Sequence, residues 1–131
     1  MVFKPHGRFK IWVEGPILRI QAFESWNSEQ SRTFFDQCIA IIDDRLTPGP
    51  WASLIEVETW LPTYESLEVL RALNNVAIKK GLRYEALVPD NNISSGIITQ
   101  KILSPISDNY ENRVFADVDQ AKRWLTACLE S

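Results

Sequence analysis

Phe9-Lys10-Ile11-Trp12-Val13-Glu14-Gly15-Pro16-Ile17-Leu18-Arg19-Ile20-Gln21-Ala22 is the stretch that decides the architecture. Phe9, Ile11 and Val13 alternate with Lys10, Trp12 and Glu14, a period of two that marks a half-buried strand. Gly15-Pro16 breaks the run, and Leu18, Ile20 and Ala22 then alternate with Arg19 and Gln21. Two such runs around a glycine turn predict a β-hairpin. The turn centres on Glu14-Gly15 or on Gly15-Pro16, and the two registers differ by two residues. A shift of two leaves the same side chains facing the core. Phe9, Ile11, Val13, Leu18 and Ile20 therefore point inward in either case, and Trp12 points outward.

Downstream, turn signals cut the chain into segments of alternating type. Asn27 or Ser28 is placed to cap a helix whose apolar stripe is Phe34, Phe35, Cys38, Ile41, Ile42 and Leu46. Pro48-Gly49-Pro50 ends it, and Trp51 to Glu58 reads as a strand. Pro62-Thr63 opens a second helix with the stripe Leu67, Leu70, Leu73 and Ala77, stopped at Gly81. Tyr84 to Val88 is the next strand, closed by Pro89-Asp90-Asn91-Asn92. A helix through Ile97, Ile98 and Ile102 follows, weakened by Gly96. Arg113-Val114-Phe115 reads as a short strand. Asp117 caps a last helix with the inner stripe Val118, Ala121, Leu125 and Cys128. The order β-β-α-β-α-β-α-β-α predicts one α/β domain over residues 1–131. Its sheet is mixed and mostly parallel, with an N-terminal antiparallel hairpin and about four helices.

Composition excludes several function classes. The 131 residues carry 14 Lys and Arg against 17 Asp and Glu, a net charge of −3. That balance gives no general attraction for nucleic acid or an anionic membrane. There is no secretory signal pattern, and Cys38 to Ile42, the longest apolar run, is far short of the ~20 residues of a membrane span. The expectation is a cytoplasmic protein. The two cysteines form no metal-binding pattern and read as buried reduced thiols. Neither a cofactor nor a metal is expected, and no phosphate-cradling glycine loop occurs.

The order and spacing resemble the STAS-like proteins related to bacterial anti-sigma-factor antagonists, specifically the small stand-alone SpoIIAA-like group. The likeness runs through His6-Gly7-Arg8-Phe9 to Gly15 and Ile20, then Trp26, Pro50-Trp51-Ala52 and Leu54 to Val57. It ends in Phe115 to Asp117 with Ala121, Trp124 and Leu125. It implies a STAS-type fold and a role in binding rather than chemistry. The antagonists' Asp-Ser-Ser-Gly phosphoacceptor stretch is replaced here by Thr63-Tyr64-Glu65-Ser66, so their phospho-switch does not carry over. Thr63 and Ser66 remain conceivable phosphoacceptors, with a capping role the stronger reading for Thr63.

Candidate site residues fall into three groups. Glu58, Trp60, Thr63, Asp90 and Asn92 should gather at the carboxyl edge of the sheet, where open α/β folds bind ligands. Trp12 and Trp60 are candidate interface anchors, because exposed tryptophan is enriched at hot spots. Trp26, Trp51 and Trp124 have packing duties. Glu56 and Glu58 project from one strand face about 6.5–7 Å apart, a spacing open to acid–base work. The structural alternative pairs Glu56 with Arg83, Arg113 or Lys79. His6 lies near the N-terminus with no partner close in sequence. Three functions follow: a non-enzymatic binding or regulatory module with a protein partner or itself, a small-ligand sensor or carrier, and a hydrolase-type enzyme using Glu56 and Glu58.

Overall fold

A computed structural model of the chain describes residues 8–90 and 100–131. The hairpin consists of β1 (Arg8–Glu14) and β2 (Ile17–Trp26). Glu14 faces Ile17 across Gly15-Pro16, with Gly15 at φ +57°. A positive φ at that turn position is cheap only for glycine. Helix α1 (Ser28–Ile41) follows and continues into a π-helical turn, Ile42–Leu46. Asn27 caps it by accepting the Gln30 N–H at 2.9 Å. Strand β3 (Trp51–Pro62) leads to α2 (Tyr64–Lys79), capped by Thr63, and then to β4 (Leu82–Pro89). Strand β5 (Glu111–Val114) and helix α3 (Val118–Glu130), capped by Asp117, complete the chain.

The sheet order is β1-β2-β3-β4-β5, antiparallel in the hairpin and parallel elsewhere. The described residues hold three α-helices rather than about four. Much of the helix expected through Ile97, Ile98 and Ile102 falls on residues 91–99, outside the described residues. Ile102 itself lies in a turn, half-buried.

Strand alternation sorts the side chains onto two faces. Leu18, Ile20, Ile55, Val57 and Leu87 meet Phe34, Cys38, Leu70 and Leu73 of α1 and α2. Phe9, Ile11 and Val13 pack against the same cluster, as their alternation predicts. On the opposite face Ile17, Ala52, Leu54 and Ala86 meet Ala121 and Leu125 of α3. The small alanines let α3 approach the sheet closely. Gly49 and Gly81 permit another close approach: a Cβ on Gly81, at φ +108°, would run into the Pro48 backbone. That contact holds the β3 entry against the end of α2, and the Trp51 indole N–H donates to Lys80 O at 2.9 Å.

Candidate functional site

Helix α3 packs on β3 and β4. Beyond the turn end of the hairpin, where Ile17 meets α3 and Lys122 reaches Glu14, no described helix packs on the same face of β1 and β2. The side chains there are Trp12, Arg19, Gln21 and Phe23, joined by Glu56 and Glu58 from β3. At the centre is Arg19, only 6% exposed. Its guanidinium donates to Glu14 at 2.9 Å and to Glu56 at 2.9 Å, and it lies 4.8 Å from the Trp12 ring centroid. Gln21 adds a hydrogen bond to Glu56 at 3.2 Å, and Lys122 of α3 reaches Glu14 at 3.4 Å. The Trp12 N–H donates to Glu14 at 3.0 Å. That bond is the largest cause lowering the Glu14 pKa; burial opposes it, and the charge and hydrogen bond of Arg19 with the Lys122 charge tip the balance downward. A buried cation needs such compensation, because desolvation otherwise outweighs its attractions.

This arrangement places several sequence-derived residues. Trp12 faces away from the main core, as alternation requires, and is half-buried, its ring stacked on the more deeply buried Arg19 guanidinium. Glu56 and Glu58 share a face, but the partner of Glu56 is Arg19, not Arg83, Arg113 or Lys79. Sequence pattern misses this because β2 and β3 are neighbours only in the folded sheet. Of the expected carboxyl-edge group, Glu58 and Asp90 line one shallow cleft with Gln21, Phe23 and Glu56. Asp90 also accepts the Thr59 backbone N–H at 2.5 Å. Thr63 is exposed at the α2 cap, while Ser66 is fully buried and donates to Trp26 O at 3.2 Å. Asn92 and His6 lie outside the described residues.

Trp60 is corrected. The sequence places it in a surface loop as an interface anchor and ligand contact. It is instead within β3 and 2% exposed, in an edge-to-face contact with Trp26 at 5.5 Å. The cause is a bulge. Pairing runs from Phe23 with Glu58 to Ser25 with Leu61, one residue more on β3 than on β2, and Thr59 has φ +45°. An extra residue reverses the alternation, so Trp60 turns from the Glu58 face into the α1–α2 core. Cys128 is also corrected: Cys38 is buried, but Cys128, in the last turn of α3, is only half-buried.

Glu85 is the polar residue that the sequence reading missed. It is 3% exposed on the α1–α2 face of β4. Ser53 donates to it at 2.8 Å and Tyr110 at 2.7 Å. Asn74, with its amide nitrogen turned toward the carboxylate, donates as well. Burial raises the Glu85 pKa, and the three hydrogen bonds oppose that shift only in part. Burial, with the nearby Glu85 charge, also pushes the Cys38 thiol and the Tyr110 phenol up. Glu85 borders a cavity of about 60 Å³, otherwise lined chiefly by apolar side chains. The Trp60 indole N–H on the same wall has no partner among the described residues. The available signal was Glu85 inside an apolar run two positions from Leu87: an acid at an inward position needs internal donors.

The architecture matches a solved structure, an uncharacterised DUF3478-family protein with a SpoIIAA-like fold from Shewanella loihica PV-4. The TM-score is 0.64 over 95% of this chain and 98% of that one, at 14% identity. The fold is SpoIIAA-like. No family model matches the chain, and no curated protein matches it. Within the SpoIIAA-like frame, the Arg19 network and the Glu85 cluster lie on opposite faces of the sheet. The described residues contain no group of three or more potential metal ligands. No helix among them is long and apolar enough to cross a membrane.

Proposed function

We propose that this chain is a non-enzymatic, cytoplasmic binding module that acts through protein–protein contact on the β1–β2 side of its sheet. The observation that carries this reading is the half-covered sheet. Helix α3 covers β3 and β4, while Trp12 is held in place by Arg19 and Glu14 on the part of that face where no described helix packs. A tryptophan fixed before binding loses little side-chain freedom when a partner arrives, which favours its use as an anchor. The pairing of Glu56 with Arg19 favours a structural role over a catalytic one for that carboxylate. The test compares wild type with Trp12→Ala as baits in affinity capture from the native lysate, after circular dichroism confirms that both are folded. Partners retained by wild type and lost by the variant support the reading. Identical sets overturn it.

A second reading, a small-ligand sensor, draws on the cavity rather than on the strand edge. Its support is the Trp60 N–H, without a partner among the described residues, in the largely apolar lining that also includes Glu85. At about 60 Å³ the cavity is far below the ~300–1,000 Å³ of drug-sized sites. The ligand would be a very small apolar molecule with one hydrogen-bond acceptor. A thermal-shift panel of such molecules should raise the melting temperature of wild type more than that of Trp60→Phe. A flat panel rejects this reading.

A further inference from the structure

We infer that the partner of the β1 edge is a second copy of this chain, joined by antiparallel pairing of β1 with β1 about Ile11. This deepens the binding reading by naming the partner. Strand β1 is an edge of the sheet and pairs only with β2 among the described residues. An unpaired strand edge presents a row of N–H and C=O groups that another strand can satisfy.

The register already present fixes which groups face outward. Glu14 and Ile17 flank a two-residue turn, so their backbones bond to each other. Alternation along an antiparallel pair then turns the backbones of Trp12, Lys10 and Arg8 toward β2. Those of Val13, Ile11 and Phe9 face the open edge. Two copies can therefore bond only where odd-numbered residues of β1 meet odd-numbered residues.

One permitted register uses the whole strand, and its side chains complement each other. With Ile11 opposite Ile11 of the second copy, Phe9 meets Val13 and Lys10 meets Trp12. Arg8 then meets Glu14. The hydrogen-bonded pairs are all apolar and continue the α1–α2 core side. The remaining pairs, whose Cα atoms approach to about 4.5 Å, set cation against ring and cation against carboxylate. Each contact occurs twice by symmetry except Ile11 with Ile11, which lies on the two-fold axis, as an isologous interface requires. Moving the centre to Lys10 sets Lys10 against itself. Moving it to Trp12 leaves Arg8 and Phe9 without partners in the other strand. The groups are available: Arg8 and Glu14 keep 71% and 42% side-chain exposure despite their internal ion pairs. Lys10 is exposed with no ion pair among the described residues. Three bonded pairs give about six backbone hydrogen bonds. A seven-residue edge buries less than the ~1,600 Å² of a standard interface, so the dimer is weak and concentration-dependent.

The test uses the whole chain in low salt. Sedimentation velocity across a concentration series up to about millimolar should show a monomer–dimer equilibrium. Amide exchange should slow at Phe9, Ile11 and Val13 as concentration rises, while Lys10 and Trp12, already bonded to β2, should not change. Arg8→Glu and Glu14→Lys should each weaken dimerisation on the order of tenfold by setting like charges opposite each other. Mixing the two variants should restore dimers, because both cross-strand pairs then join opposite charges. Circular dichroism melts establish that each variant is folded. A wild-type chain that stays monomeric at millimolar concentration overturns the inference. So does a dimer whose Phe9, Ile11 and Val13 amides exchange unchanged, or a variant mixture that fails to pair. A monomer that still captures a different protein through Trp12 would sink the dimer and leave the binding reading standing.

Discussion

Arg19→Met isolates the charge network beneath the uncovered sheet face. Methionine keeps most of the packing of the aliphatic stem and removes the guanidinium. Removing one partner of a fully buried ion pair costs about 3–5 kcal/mol, whereas exposed pairs contribute about 0–1 kcal/mol. The Arg19 side chain is 7% exposed, but Glu56 and Glu14 keep 25% and 42% exposure, so water partly compensates both acids. That places the ion-pair loss near 2 kcal/mol, between the two limits. Losing the cation over Trp12 adds about 0.5–1 kcal/mol. The expected cost is therefore about 2–3 kcal/mol, or a melting temperature lower by roughly 8–12 °C for a chain of this size. Urea titrations of wild type, Arg19→Met, Glu56→Gln and the double variant form a cycle whose coupling should be about 1–2 kcal/mol. A loss below about 0.5 kcal/mol for Arg19→Met, or additivity in the cycle, would refute the claim that this network holds the face together.

The other predictions concern the two cores. Leu125→Ala removes a fully buried side chain between α3 and the sheet and should cost about 2–5 kcal/mol in a urea melt; full wild-type stability would break the α3 assignment. Glu85 has a folded-state pKa raised above its unfolded value, chiefly by burial, so the folded state holds the proton more tightly. Its contribution to stability is greatest below the unfolded pKa and falls as pH rises toward the folded one. Glu85→Gln mimics the protonated acid, so its stability relative to wild type should improve from pH 4 to pH 8. A constant difference would show that Glu85 is not held this way. Cys38 is buried with a raised pKa, and Cys128 is half-buried with a smaller burial effect. A thiol reagent should therefore modify Cys128 in the folded protein and reach Cys38 only after unfolding; rapid labelling of Cys38 would contradict its packing.

Local rules carried the sequence reading a long way. Period-two alternation set the hairpin and the inward facing of Phe9, Ile11, Val13, Leu18 and Ile20, because side-chain direction in a strand follows from backbone geometry alone. Thr63 and Asp117 were legible as caps, and Asn27 as one of two candidates with Ser28, since a cap bonds to a backbone N–H three residues ahead. The mixed, mostly parallel sheet followed from the order of the elements, and its SpoIIAA-like character from the family resemblance. The outward facing of Trp12 followed from the same alternation.

What only the tertiary structure decided involves residues distant in sequence, or a single extra residue. One bulge at Thr59 reverses the alternation and carries Trp60 from the expected surface into the core. The Arg19–Glu56 pair joins neighbouring strands separated in sequence by a helix, and Glu85 draws donors from β3, α2 and the segment before β5. Sequence periodicity determines which side of its own strand a residue takes. Which strand lies beside it, and where an inserted residue resets the count, are settled by how the whole sheet packs against its helices.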